Sequence, residues 1–295
     1  MSDTIPPIPL QPTDLAPQEW TMVITPQEHW FDLHIRELWH YRDLVMLFVR
    51  RDFVSVYKQT ILGPLWFFIQ PLMTTVIYNV IFGSVAKLPT DGLPPFIFYL
   101  SGVVIWTYFA DCLNKTSNTF IQNANIFGKV YFPRVSVPIS ILISNLITFG
   151  IQFLLFLGFL VYFLLSGANV HLTGWIFITP VLLILMAGIG FGLGIIISAL
   201  TTRYRDLRYL VTFGVQLLMY VTPVIYPASS IPQKLQWVIY ANPLTAVVET
   251  FRYAFLGAGT INLPGLAYSA AFMVVVVLLG LGLFNHVEKN FMDTI

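Results

Sequence analysis

One cysteine, Cys112, occurs in the 295-residue sequence, which excludes an intramolecular disulfide framework and any multi-cysteine metal site. The histidines, His29, His34, His40, His171 and His286, show neither HxxxH nor HExxH spacing, so no metal is expected. A phosphate loop is missing too: Gly128-Lys129 is followed by Val130, which fails the GxxxxGK[ST] pattern, and the chain carries no nucleotide site of its own. No GxSxG string offers an activated nucleophile, and no enzyme activity is expected. Charge is scarce. Only 10% of residues are charged against 57% apolar, beyond what a soluble core of this size requires, so the chain reads as an all-α polytopic membrane protein. A formal net charge of +1 offers nothing to a nucleic acid, and no such partner is expected.

Stretches of about 20 predominantly apolar residues predict six spans, near 65–86, 95–113, 137–165, 175–200, 209–226 and 266–286, within a transmembrane domain of 61–290. Residues 1–30 are polar and proline-rich, with Asp3, Asp14 and Glu19 where an export signal would be basic; a loose tail and no cleavable signal are expected. Residues 291–295 form a short C-terminal tail. With both termini cytoplasmic, Arg36, Arg42, Arg50, Arg51, Lys58, Lys115, Lys129, Arg134, Arg203, Arg205, Arg208 and Lys289 lie inside, leaving Lys87, Lys234 and Arg252 outside. That asymmetry is the one the positive-inside rule requires.

The span centres carry no carboxylate or histidine, which argues against an ion-coupled transporter, whose cycle needs a titrating group at depth. Energy must then come from a partner. Two spans carry polar stripes at i, i+4 and i+8: Trp66, Gln70 and Thr74 on the first, Thr212, Gln216 and Tyr220 on the fifth. Polar groups are costly in lipid, so both stripes should face protein or water. They either line a path for sugars, whose C–H faces pack on rings, or bond neighbouring helices. GIGFGLG (188–194) holds two small-residue pairs, Gly188/Gly192 and Gly190/Gly194, suited to close helix packing inside the subunit or at a dimer seam. Phe96, Phe98, Tyr99, Trp106, Tyr108 and Phe109 are expected to be interfacial belt and lipid contacts.

Pro223, Pro227, Pro232 and Pro243 interrupt the chain after the fifth span. A proline inside a helix costs about 3 kcal/mol, and non-helical backbone at membrane depth needs protein or a wet cavity around it. The segment is therefore expected to dip back and line an exit; an ordinary external loop is the alternative, against which LQWVIYANPLTAVVETF is very apolar. Glu249 and Arg252, three residues apart, can pair on one helical face. At the other end, residues 31–60 predict an amphipathic helix lying in the cytoplasmic interface. Leu38, Tyr41, Val45 and Phe48 form its apolar stripe, with Arg36, His40, Asp43, Arg50 and Arg51 opposite. Thr25-Pro26-Gln27-Glu28 matches a capping box upstream.

ELWHYRDL (37–44), RRDFVSVYKQTILGPLWFFIQPL (50–72), VYFPRVSVPIS (130–140), RYRDLRYL (203–210) and TPVIYPASSIP…YANPLTAVVETFRYAFLG (222–257) occur together in order. Over roughly 28–290 the chain resembles the permease subunits of ATP-binding cassette exporters of cell-surface polysaccharides, type 2 permeases that move lipid-linked O-antigen, capsule or teichoic acid. The resemblance implies a homodimer in the bacterial cytoplasmic (inner) membrane, docked on cytoplasmic ATPase subunits that bind ATP and Mg. It also implies a channel for an undecaprenyl-linked glycan. The helix from about Leu33 to Lys58, with Arg50 and Arg51, would lie on the ATPase. Asn118–Arg134, with Asn125, Lys129, Phe132, Pro133 and Arg134, would supply the coupling segment. Re-entrant helices over about Pro227–Leu256 would form the outer gate, with Pro223, Tyr226, Pro227, Pro232, Pro243, Glu249 and Arg252. A drug or small-lipid exporter of the same superfamily, or a scaffold for a glycan synthase, are the alternatives; the former should lack the YKQTILGPLW and YANPL strings.

Overall fold

A computed structural model describes residues 39–290 apart from 59, 128, 130, 131 and 205, with backbone alone at 56, 57 and 288–290. The predicted tails 1–30 and 291–295, the capping box, His34, Arg36, Leu38 and Arg205 lie outside the described residues. Every regular element described is helical. In chain order these are α1 (Arg42–Tyr57), α2 (Trp66–Tyr78, continued by a π-helical stretch Asn79–Val85), α3 (Pro95–Ser117), α4 (Thr119–Phe127) and α5 (Ser136–Leu165). After them come α6 (Thr179–Thr201), α7 (Leu207–Val221), α8 (Gln236–Ala241), α9 (Pro243–Leu256) and α10 (Leu263–Asn290).

Among the described residues, five helical stretches are long and apolar enough to cross a bilayer: Gly63–Val85, Pro95–Ser117, Ser136–Leu165, Gly174–Thr201 and Leu263–Val287. The predicted fifth span differs. It ends at Val221 rather than 226, because Pro223 forces the residue before it out of the α region, and Thr222 is extended at φ −94°, ψ 139°. At 15 residues, α7 is shorter than any of these five stretches.

The centre of the fold is α3, packed between α5 and α6 and touched by α2, α7 and α9. This overturns the expectation for its aromatic residues: Phe98, Tyr99 and Phe109 are fully buried and Trp106 and Tyr108 nearly so, leaving Phe96 half-buried. A helix apolar on every side belongs inside a bundle, and composition alone does not say which apolar helix is central. The two glycine pairs of α6 each serve a different neighbour. Gly190 and Gly194 face α3, where a Cβ would stand 3.0 Å from Cys112 Cβ and 2.7 Å from Thr116 Cβ. Gly188 and Gly192 face Met273 and Val276 of α10. Both pairs thus pack internally, allowing backbones to approach closely.

A second apolar cluster forms at the end of the bundle that gathers α1 and α4. Phe48 of α1, Phe120 and Phe127 of α4, Phe132, Phe191 of α6 and Phe284 of α10 are its aromatic members. The apolar stripe of α1 is therefore buried against protein: Val45, Phe48 and Val49 are inside, whereas His40, Asp43, Arg50 and Arg51 are exposed, the sidedness its periodicity predicts.

Candidate functional site

The chain between α7 and α10 buries Thr222, Asn242, Thr245, Glu249, Thr250 and Arg252. After Val221 the backbone leaves the helix, and Pro223, Val224, Ile225 and Pro227 are all buried. Backbone carbonyls freed there need donors, and Arg252 of α9 supplies them. Its Nη2 donates to the carbonyls of Pro223 at 2.9 Å and Val224 at 3.2 Å. Its Nη1 donates to Glu249 Oε1 at 2.9 Å, and Glu249 accepts the Ala228 amide at 3.4 Å. The two side chains are 1% and 7% exposed, so this is a buried pair and not a surface one. Burial pushes the Glu249 carboxyl above its ordinary value, with Arg252 and then the Ala228 amide pulling it back. The guanidinium lies 3.9 Å from the centroid of the Phe98 ring on α3, a cation–π contact out of water.

A second tie joins the same segments. Asn242 Nδ2 donates to Thr222 Oγ1 at 2.8 Å, and its Oδ1 accepts the Leu244 amide at 3.0 Å as the cap of α9. Pro243 then sits at the first helical position, where its missing N–H is harmless; it starts a helix instead of breaking one. The helices of this region, α8 and α9, begin at Gln236, later than the expected Pro227, with two short 3-10 turns filling the interval. Pro232 is exposed.

The two polar stripes lie on exposed faces of the protomer. Trp66, Gln70, Thr212, Gln216 and Tyr220 are exposed and Thr74 is half-buried. Their far ends converge: Tyr78, one step beyond Thr74 on the same stripe, donates to Met219 Sδ at 3.6 Å, beside Tyr220. Tyr226 Oη in turn donates to the Tyr220 carbonyl at 2.7 Å, linking the α7 stripe to the non-helical segment after it. A third stripe escaped sequence reading although it obeys the same spacing. Ser140, Ser144, Thr148 and Gln152 follow at i+4 intervals on α5, with Asn145 beside them, and Ser140, Asn145 and Gln152 are buried. Also unforeseen were Gly102, Phe98, Thr222 and Asn242, none of which stands out without knowing what packs on it.

The predicted coupling residues divide. Asn125 and Lys129 are exposed on and just after α4, as Arg50 and Arg51 are on α1. Phe132 is 5% exposed in the second cluster, its ring 5.7 Å from Phe48. Pro133 and Arg134 lend their carbonyls to the amides of Ser136 and Val137, forming the turn into α5, and the Arg134 guanidinium lies 5.6 Å from the Phe127 ring. Gly128, Val130 and Tyr131 of this stretch lie outside the described residues.

Several long apolar helices around a buried core are those of a multi-pass membrane protein. The chain belongs to the ABC-2 type transporter family, whose family model matches residues 43–256. It is 30% identical over 251 residues to an O-antigen export system permease protein RfbA from Klebsiella pneumoniae, covering 85% of this chain and 94% of that one. An O-antigen export system permease protein RfbA from Myxococcus xanthus is 25% identical over 264 residues, 88% of this chain and 98% of that one. The polysialic acid transport protein KpsM of Escherichia coli is 24% identical over 233 residues, 77% of this chain and 87% of that one.

Proposed function

We propose that this protein is the membrane-channel subunit of an ATP-driven exporter that carries a lipid-linked cell-surface polysaccharide across the bacterial inner membrane. The observation that carries the reading is the likeness, over most of the chain, to permeases named for O-antigen and polysialic acid export. Because the chain has no phosphate loop, ATP and Mg belong to a separate ATPase subunit. Asn125, Lys129 and Arg50 are the exposed groups offered to that subunit, Arg51 being turned onto Asp52 instead, with Phe132, Pro133 and Arg134 holding the segment that presents them.

In this reading the protein is a homodimer, six spans to a subunit, with α7 and the extended residues after it making the fifth. Both termini are cytoplasmic, as the distribution of basic residues favours. The exposed stripes of α2 and α7 meet their counterparts on the second copy and enclose the path of an undecaprenyl-linked glycan. Polar groups left open to lipid would be unfavourable, which supports a wet path between subunits. The segment from Pro223 to Arg252, including Tyr226, Pro227, Pro232, Pro243 and Glu249, dips into the outer half as the exit gate.

Co-purification with the ATPase encoded beside it, followed by mass spectrometry of retained lipid, tests the reading. The expected result is a two-plus-two assembly carrying lipid-diphosphate-linked sugar. A retained drug or simple lipid instead, or a permease that binds no ATPase, would overturn it.

A further inference from the structure

We propose that the polar cleft between α1, α3, α4 and α5 binds the phosphate headgroup of a membrane lipid, at a place separate from the α2 and α7 stripes. The cleft encloses about 410 Å³, and its walls include Arg51 and Asp52 of α1, Lys115 in the last turn of α3, and Ser144 and Asn145 of α5. That volume lies within the range of small-molecule sites.

The hydrogen-bond inventory of the walls favours an acceptor-rich, negatively charged ligand. Lys115 Nζ donates to Asn145 Oδ1 at 2.7 Å and stands 3.4 Å from Asp111 Oδ2. Arg51 is held 2.8 Å from Asp52 and rests 4.8 Å from the Phe48 ring centroid. An ammonium has three N–H groups and a guanidinium five, so donors remain on both after these bonds. Ser144 Oγ is buried with no hydrogen-bond partner, and Asn145 Nδ2 reaches nothing better than Cys112 Sγ at 3.7 Å. Of the charged groups in the walls two are cations and one is a carboxylate, Asp52, already occupied by Arg51. A buried hydroxyl without a partner is unfavourable, and a phosphate oxygen would relieve it.

The remaining walls separate a lipid from a soluble anion. Phe67 of α2 and Ile141 and Val137 of α5 line the same space, giving an apolar flank beside the cations. Acyl chains fit such a flank and free phosphate gains nothing from it. The position fits as well: Lys115 and Arg51 sit at the basic end of the bundle, where a span meets the headgroup layer and lysines and arginines face lipid phosphates.

The test is native mass spectrometry of the full-length protein in detergent, titrated with phosphatidylglycerol, reading occupancy by the first lipid to bind. Arg51→Gln and Lys115→Gln should each weaken it about fivefold, the effect of one basic residue at an anionic surface, whereas Lys115→Arg should retain it. Ser144→Ala should weaken it by less. Arg51 is on an exposed face, so its variant decides the matter should Lys115→Gln fail to fold. Unchanged occupancy in Arg51→Gln would overturn the site. Displacement of the lipid by millimolar inorganic phosphate would assign the cleft to a soluble anion instead and overturn the lipid assignment.

Discussion

The carbonyl oxygen of Val224 stands over Gly102 so closely that a Cβ on residue 102 would lie 2.7 Å from it. The non-helical segment after α7 thus rests directly on the backbone of the central helix, with Arg252 Nη2 at the same spot, 3.4 Å from that Cβ position. Gly102→Ala should destabilise the protein by about 1–3 kcal/mol through overpacking. Gly150→Ala on α5, where a Cβ would meet nothing within 4 Å, should be neutral or stabilising by up to about 1 kcal/mol. Thermal unfolding in detergent compares the two; equal melting temperatures would show that the segment has slack over Gly102.

The Glu249/Arg252 pair does more than its spacing promised. An isolated ion pair is restored by exchanging its charges, but here the guanidinium also satisfies the carbonyls of Pro223 and Val224. Glu249→Gln and Arg252→Gln should each cost about 3–5 kcal/mol, the usual penalty for leaving one member of a buried pair alone. The exchanged double variant, Glu249→Arg with Arg252→Glu, should not recover, because a carboxylate at 252 would face two carbonyl oxygens. Near-wild-type melting in the exchanged protein would mean that the pair alone matters.

These two sites show where sequence reasoning stopped. Apolar run lengths located the long helices, although the fifth was carried past Pro223 to 226, and the spacing of Glu249 and Arg252 identified the pair. Each of those signals is local. What Arg252 bonds besides Glu249, why residue 102 must be small, and why the aromatic residues of α3 are core all depend on which helices become neighbours, and a single apolar sequence does not encode that visibly. The α5 stripe is a different matter: Ser140, Ser144, Thr148 and Gln152 were as legible as Gln216 and Tyr220. Three of its four residues are small hydroxyls and the fourth is an amide, a weaker mark than the Trp66 and Tyr220 rings on the other two stripes.

For the proposed glycan path, exposure in the protomer makes the test clean. Tyr220 is 57% exposed, and Gln216 is exposed beside it. Tyr220→Ala with Gln216→Leu should change protomer stability by no more than about 0.5 kcal/mol, yet slow export severalfold by removing a stacking ring and an amide. Export of labelled lipid-linked glycan into inverted vesicles provides the readout. Normal export from a normally expressed double variant would return the stripe to helix packing.

Whether α7 crosses the membrane decides the topology, and its length makes the question physical. Its 15 residues span about 22 Å at 1.5 Å per residue, short of a hydrocarbon core of about 30 Å. Thr222 to Tyr226 continue as turns and bends, and a crossing would need them to add the missing length. Such backbone is tolerated at depth because Val224 and Ile225 are buried in protein and Arg252 holds the carbonyls. Between Lys129 and Lys234 lie α5, α6 and α7, so a crossing α7 puts these lysines on opposite sides and a non-crossing one puts them together. Both side chains are exposed, whereas Cys112, the native thiol, is buried. In a Cys112→Ser background, Lys129→Cys and Lys234→Cys should therefore react with a membrane-impermeant maleimide from opposite faces, with Lys87→Cys matching Lys234→Cys. Labelling of residues 129 and 234 from the same face would leave five spans and place α7 on the membrane surface.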